Sequence, residues 1–140
     1  MAFQKNRVIS PEGIRPPFAQ YSHGLLVQPG ARLLFTSGQL GVSPTDQVPD
    51  SVEEQAVLCF ENIGAILRAA DMDFGDVVRF SAFVTERASF EIYGAVRARY
   101  VRGDTFASTL LVVGGFTRPE FKIEVEATAA SLSEGRTPTG

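Results

Sequence analysis

The sequence contains very few of the residues that build disulfides, metal sites and nucleic-acid interfaces. Cys59 is the single cysteine, which excludes an internal disulfide and favours a reducing, cytoplasmic setting. His23 is the single histidine, so a histidine-based metal site or a catalytic triad lacks members, and no metal or cofactor is predicted. There are only two lysines, and the net charge is −3 with 13 basic against 16 acidic side chains. This balance argues against nucleic acid as a partner.

Long apolar runs are also missing. No run approaches the roughly 18 residues that a membrane-spanning helix requires, and no apolar segment resembling a secretory signal follows the first seven residues. With 140 residues, 44% of them hydrophobic, the chain has enough apolar side chains for one buried core. We therefore predict one domain over residues 1–132 with no membrane partner, followed by a flexible polar tail at 133–140.

The spacing of apolar residues predicts two helices and five strands. Ser51 begins the clearest helix, because Ser51 and Glu54 fit a capping box and an apolar stripe continues to Ala70. A second helix is predicted at 90–101, with Ser89 as its cap. The strands are predicted at 21–27, 33–37, 77–84, 105–113 and 121–132.

This order, ββαβαββ, predicts an α+β fold in which one sheet carries both helices on one face. The first two strands are expected to form an antiparallel hairpin around Pro29-Gly30, whereas the proline-rich residues 1–17 are expected to be irregular. In the last strand, apolar side chains alternate with Lys122, Glu124 and Glu126. The charged face is therefore expected to be solvated or to line an assembly interface.

Four short motifs occur in a fixed order along the chain. They are Pro17-Phe18-Ala19-Gln20, Phe35-Thr36-Ser37-Gly38-Gln39, Glu61-Asn62-Ile63 and Lys122-Ile123-Glu124-Val125-Glu126-Ala127. Together they resemble the Rid family (reactive intermediate deaminases, YjgF-like) within the L-PSP endoribonuclease-like superfamily, over residues 15–132. The resemblance implies a chorismate-mutase-like fold, a homotrimer with a small-molecule pocket between subunits, and hydrolysis of enamines or imines without a cofactor.

The resemblance also assigns expected roles to individual residues. It implies that Glu124 is the catalytic acid and base, since imine hydrolysis needs a group that directs water to carbon and protonates the leaving nitrogen. Ser37 and Gly38 are expected to border the pocket, where glycine allows close approach of the backbone to a ligand. Phe18 would wall the pocket in place of a common tyrosine, and Leu111 would contact the substrate through its backbone in place of a common cysteine.

Thr109 is the main departure from the family pattern. It occupies the position at which many members carry an arginine that binds a substrate carboxylate, and a hydroxyl is a weaker partner for that anion. The sequence therefore predicts poor binding of small 2-imino acids and a neutral or more apolar imine as substrate. Arg97, Arg99 and Arg102 are expected on a solvated helix face, although one of them, or Arg118, could replace the missing arginine.

Three functions remain open from the sequence. The first is a Rid-like hydrolase (deaminase) of a reactive enamine or imine. The second is a non-catalytic, small-molecule-binding or regulatory Rid-like trimer, because loss of the arginine also fits a loss of activity. The third is a ribonuclease, which the acidic charge balance makes the least favoured. Cys59, on the apolar stripe of the first helix, is expected to be a core residue.

Overall fold

The computed structural model describes residues 6–132, so the predicted tail at 133–140 lies outside the described residues. The predicted α+β class is confirmed, with two helices and a mixed sheet. The strands are β1 (Arg7–Ile9), β2 (Gly24–Leu26), β3 (Arg32–Phe35), β4 (Gln39–Leu40), β5 (Val77–Val84), β6 (Ala107–Val112) and β7 (Ile123–Ser131); the helices are α1 (Val52–Ala69) and α2 (Ser89–Tyr100), and a short 3-10 turn covers Phe74–Asp76.

Helix α1 begins where the sequence predicts. The Ser51 hydroxyl accepts a hydrogen bond from the backbone N–H of Glu54 at 3.1 Å, which satisfies one of the unpaired donors of the first turn. Cys59, Phe60 and Ile63 on the apolar stripe are fully buried. Since burying one such apolar side chain contributes about 1.5–3 kcal/mol, this stripe fixes the helix on the sheet.

Helix α2 begins differently from the prediction. Ser89 is not its cap but its first residue, and Ala88 precedes it without any side-chain cap. The preceding turn begins the helix instead, because the N–H of Ser89 donates to the carbonyl of Glu86 and that of Phe90 to the carbonyl of Arg87. A buried serine inside the first turn therefore takes the place of an exposed capping serine.

The main sheet has the order β3-β7-β5-β6, and β4 also pairs with β7. β7 runs antiparallel to β3, β4 and β5, whereas β5 and β6 are parallel and are joined through α2. The strand that lies last in the sequence is therefore central in the sheet. The helices pack on one face of this sheet, as predicted, and bury its apolar side chains.

The predicted hairpin between the first two strands was wrong. β2 pairs with β1 in a separate two-stranded sheet, so residues expected to be irregular contribute a strand. Between β2 and β3 the N–H of Ala31 donates to the carbonyl of Gln28, and Gly30 has φ +81°. A positive φ at this position indicates a type II turn, which splays the flanking strands instead of pairing them. The chain thus leaves the small sheet and enters the main one.

The two faces of β7 differ as the alternation predicts. Ile123, Val125, Ala127 and Ala129 are buried against the helices, whereas Glu124, Glu126 and Thr128 are partly exposed on the other face. We call these the inner and the outer face of the sheet. The outer face also presents large apolar side chains of other strands, including Leu33, Phe35 and Leu111.

Candidate active site

A bulge interrupts the pairing of the β3–β4 segment with β7. Phe35 lies opposite Thr128, but Gln39 lies opposite Val125, so four steps along one strand match three along the other. Thr36 anchors the segment, since its N–H donates to the carbonyl of Ala127 and its hydroxyl accepts from the N–H of the same residue, both at 3.0 Å. The extra residue falls at Ser37-Gly38. Such bulges are frequent beside active sites, where they redirect the backbone.

Gly38 lies directly against the carboxylate of Glu124. A Cβ atom at position 38 would be 2.6 Å from Cδ and 2.9 Å from Oε1 of Glu124, far closer than real Cβ contacts. Only glycine fits there while Glu124 keeps this position. The structure therefore brings together two of the predicted site residues, and the Glu124 side chain leans toward the β4 side of β7.

The start of β7 is held in place by a buried glutamine of α1. The side-chain amide of Gln55 donates to the carbonyls of Pro49 and Glu120 at 2.8 and 2.9 Å, and its oxygen accepts from the N–H of Lys122 at 2.8 Å. These bonds satisfy the polar atoms of a fully buried side chain. They also fix the strand two residues before Glu124, which positions the carboxylate relative to Gly38.

Leu111 and Thr109 lie on the outer face across two strands from Glu124. Glu124 is opposite Phe83 of β5, and Phe83 is opposite Leu111 of β6. Thr109 is opposite Ser81, which is opposite Glu126. The predicted catalytic and substrate-binding residues of the last two strands therefore share one face, in two adjacent rows.

Phe18 lies outside this arrangement. Its ring is 81% exposed and stacks under the guanidinium of Arg15, whose carbon is 3.8 Å from the ring centroid. Its N–H donates to the hydroxyl of Tyr21 at 3.3 Å. The segment before β2 thus presents an aromatic ring to its surroundings, and its predicted role as a pocket wall stays a prediction.

An arginine that the sequence analysis did not consider contacts Thr109. Arg79 of β5 donates from Nη2 to the hydroxyl of Thr109 at 2.6 Å and from Nε to the hydroxyl of Ser81 at 3.3 Å. The sequence feature that could have drawn attention to Arg79 is its place as a lone arginine in an otherwise apolar strand, two residues before Ser81. The sequence could not reveal the contact, because it depends on the register between two parallel strands.

Three of the four arginines that were considered contact other groups. Arg97 was predicted on a solvated face, but it is buried between the rings of Tyr93 and Phe106 and donates to the carbonyl of Gln20 at 3.2 Å. Arg99 pairs with Glu53, and Arg118 pairs with Asp46 at 2.9 Å and with Glu120 at 3.3 Å. Arg102 lies beside a cavity of about 430 Å³ that also includes Tyr100 and Phe106.

Cys59 and His23 have surroundings that fit structural roles. Cys59 is fully buried, and burial raises the pKa of its thiol to about 12, with a further contribution from the negative charge of Glu124. At neutral pH this thiol is therefore protonated and unreactive. A ring nitrogen of His23 lies 2.7 Å from the carbonyl oxygen of Arg15, on an exposed segment.

The candidate site lies on the open outer face of the sheet. Two cavities, of about 430 and 530 Å³, occur elsewhere, and neither includes Glu124 or Thr109. Within residues 6–132, no group of three or more His, Cys, Asp or Glu side chains could hold a metal ion. In the same range, no helix has the length and apolar character needed to cross a membrane.

Comparison with known proteins gives consistent matches. The family model for endoribonuclease L-PSP matches residues 13–131. A 2-iminobutanoate/2-iminopropanoate deaminase from Rattus norvegicus is 30% identical over 125 residues, 88% of each chain. The structure of YyfB, a Rid-family protein of unknown function from Yersinia pestis, has a TM-score of 0.80 at 30% identity, covering 91% of this chain and all of that one. E. coli TdcF with bound serine has a TM-score of 0.67 at 28% identity, covering 89% and 98%.

Proposed function

Because the chain belongs to the Rid family of L-PSP endoribonuclease-like proteins, we propose that it hydrolyses a reactive enamine or imine to a carbonyl compound and ammonia. The observation that carries this proposal is the contact between Glu124 and Gly38. A carboxylate is held above a backbone bulge at which only glycine fits, on a face that helices do not cover. A purely structural glutamate on an exposed strand needs no such arrangement.

The chemistry requires one group that moves a proton twice. Glu124 takes a proton from water as the water oxygen bonds to the C=N carbon and the π electron pair moves onto nitrogen, and the same carboxyl then gives this proton to the nitrogen. In the resulting carbinolamine Glu124 takes the proton of the hydroxyl group and delivers it to the amino nitrogen. The C–N bond then breaks, its electron pair leaves with the nitrogen as ammonia, and a C=O bond forms. An enamine first gains a proton at carbon to become the imine. No electrons are exchanged with an outside partner, so the balance requires no cofactor.

The remaining predicted residues would bind the substrate. Backbone groups at Ser37, Gly38 and Leu111 would orient it, and Phe18 would wall the pocket. We further propose that residues 1–132 form the catalytic domain, and that small 2-imino acids are poor substrates because Thr109 replaces the arginine at that position. Exclusion of water from such a pocket would strengthen every polar contact with the substrate.

We also propose a homotrimer with the substrate site between subunits. The outer face supports this, since Leu33, Phe35 and Leu111 are 54%, 70% and 48% exposed on it. These side chains lie on β3 and β6, at the two edges of the main sheet, and exposed large apolar side chains on one face are typical of protein interfaces. A second copy packed there would also enclose Glu124, which lies on an open surface in the single chain. Analytical ultracentrifugation of the purified protein would measure the mass of the assembly.

The test of the hydrolase is ammonia release in a coupled assay. An amino-acid or amine oxidase would generate imines from a panel of amino acids and uncharged amines, with wild type beside Glu124→Gln. We expect acceleration above spontaneous hydrolysis, and its loss by about a hundredfold or more in the variant, which cannot move the proton.

The same panel separates the alternatives. Binding of a ligand without turnover, unchanged by Glu124→Gln, would favour the non-catalytic trimer. Cleavage of RNA by wild type, with no acceleration of any imine, would favour the ribonuclease and overturn the proposal.

A further inference from the structure

Arg97 is a buried cation without an acidic partner in residues 6–132. It lies in α2, is only 6% exposed, and its guanidinium carbon is 5.4 Å from the ring centroid of Tyr93 and 4.9 Å from that of Phe106. The ion pairs of this range involve Arg99 and Arg118 instead. A guanidinium keeps its charge at any ordinary pH, and its removal from water is costly unless other acceptors replace the water. The acceptors that meet Arg97 therefore identify the part of the chain that this charge holds.

The main acceptor is a backbone carbonyl of the segment that precedes β2. Nη2 of Arg97 donates to the carbonyl of Gln20 at 3.2 Å, and Nη1 donates to the hydroxyl of Ser108 in β6 at the longer distance of 3.5 Å. Hydrogen bonds from a charged donor are stronger than those between neutral groups, and the exclusion of water strengthens them further. Arg97 thus joins this segment to α2 and to β6.

The anchored segment, residues 17–22, contains no helix or strand of its own. Within the described chain, its hydrogen bonds to α2 and to the residues just before β6 are the bond from Arg97 to Gln20 and two bonds of Ser22. The N–H and the hydroxyl of Ser22 both donate to carbonyls in the stretch 104–106. Since Ser22 lies at the end of the segment near β2, Arg97 provides the anchor nearest to Phe18.

Phe18 is the residue whose position depends on this anchor. Its ring is 81% exposed and stacks with the guanidinium of Arg15, which belongs to the same proline-rich stretch of chain. The place of the ring relative to the body of the subunit is therefore set through the backbone. This holds whichever neighbouring subunit the ring faces in the proposed trimer, because the anchor and the ring belong to one chain.

We propose that Arg97 is a positioning residue for Phe18 and determines the preference of the enzyme for imines with a large apolar side chain. The inference rests on the proposed hydrolase with Phe18 as a pocket wall. A ring held in place contacts such a side chain directly, whereas a loosened segment must first be ordered, which costs entropy on binding. Loss of the anchor therefore weakens the binding of large apolar substrates and leaves proton transfer at Glu124 unchanged.

The kinetic test combines changes at the anchor and at the ring. An amine oxidase would generate imines from 2-phenylethylamine and from ethylamine, and the variants are Phe18→Ala, Arg97→Met and the two together. For the larger imine we expect Phe18→Ala to lower kcat/KM about tenfold and Arg97→Met about threefold to tenfold, both through KM, with the ethylamine imine within about twofold. Because both changes act through one contact, the double variant should be no slower than Phe18→Ala alone.

Two further variants separate positioning from a general loss of structure. Arg97→Lys keeps a charged donor for the carbonyl of Gln20 and should restore part of the loss. Arg99→Met is the matched control, since it removes an arginine of the same helix that pairs with Glu53 on the exposed side, and its kinetics should match wild type within about twofold. The inference is wrong if Arg97→Met slows both imines equally, if its effect adds fully to that of Phe18→Ala, or if neither variant of Arg97 folds.

A fluorescence measurement tests the anchor without turnover. The sequence contains no tryptophan, so Phe18→Trp places a single reporter on the segment. We expect its time-resolved anisotropy to show faster and wider local motion when Arg97→Met is added, and no change when Arg99→Met is added. Unchanged motion with Arg97→Met would overturn the inference while the hydrolase stands. Greater motion, with no turnover of any imine by wild type, would contradict the hydrolase and keep the anchor.

Discussion

The two faces of the main sheet are built on different principles. The inner face is continuous and apolar, with Val125 and Ala127 of β7 packed against Phe60 and Ile63 of α1. The outer face mixes the carboxylate of Glu124 and the guanidinium of Arg79 with exposed apolar side chains. The alternation of one strand supplies both faces, so neighbouring residues in the chain serve stability and chemistry separately. Changes on one face should leave the property of the other unchanged.

The largest difference between the effect on activity and the effect on stability is expected at Glu124. Glu124→Gln should reduce imine hydrolysis by about a hundredfold or more while changing the free energy of unfolding by less than about 0.5 kcal/mol, because the side chain is partly exposed and not packed in the core. Urea unfolding followed by circular dichroism, beside the coupled assay, measures both. A large loss of stability in this variant would mean that the carboxylate is structural.

At Phe60 we expect the opposite result, a large loss of stability without a loss of activity. Phe60→Ala should lower the free energy of unfolding by about 3–5 kcal/mol, because it empties a fully buried site in contact with Phe80 and Tyr93. Activity per folded molecule should persist. Leu26→Ala is a matched control at a half-exposed position, where we expect a change within about 0.5 kcal/mol. Similar losses for both variants would contradict the division between the faces.

Gly38 tests whether the bulge itself matters to the chemistry. The added methyl group of Gly38→Ala would push the Glu124 carboxylate away, since the new Cβ would be 2.6 Å from its Cδ. We expect about a tenfold to hundredfold loss of kcat, as for other small displacements of a reacting group. Gly114→Ala is the control, because nothing lies within 4 Å of a Cβ there, and its kinetics should match wild type. Equal kinetics of the two variants would show that the close contact between Gly38 and Glu124 does not matter to catalysis.

The smallest expected effect is the pH dependence of stability that comes from Cys59, and it tests whether this thiol is buried on the inner face. Burial raises its pKa from about 9.0 in the unfolded chain to about 12. The unfolded state therefore loses the thiol proton first, and stability falls as pH rises through this interval. We expect about 1.4 kcal/mol of loss by pH 10, one pH unit above the pKa of the unfolded chain, measured by urea unfolding. Cys59→Ala should be less stable at pH 7 and lose less on going to pH 10; an unchanged slope would count against a buried thiol.

Local pattern predicted the inner face well. The Ser51 cap, the apolar stripe of α1 and the alternation of β7 all follow from side chains close in sequence, and each is confirmed. Arg97 was misplaced because α2 has no clear apolar stripe, so its sequence did not indicate which side is buried. The prediction of Ser89 as the cap was wrong by one residue, because the turn before it begins the helix and Ser89 is the first helical residue.

The pairing of strands that are far apart in the chain could not be predicted from the sequence. The predicted hairpin assumed that neighbouring strands pair, whereas β3 pairs with the distant β7. Arg79 was missed because only the parallel register of β5 and β6 brings it to Thr109. The roles of Glu124 and Gly38 came from family resemblance, and what the structure adds is their direct contact. The catalytic role of Glu124 and the substrate-binding role of Gly38 stay predictions until the variants are measured.

The central place of β7 has a consequence for how the protein is made. β3 and β5 both pair with β7, and neither can complete its hydrogen bonds until residues 123–131 have been synthesised. A growing chain on the ribosome would therefore hold unpaired strand edges and an uncovered apolar helix stripe until β7 has emerged. The main sheet would form in one step, when β7 inserts between β3 and β5. The yield of folded protein would then depend on protecting these exposed surfaces from aggregation before β7 is available.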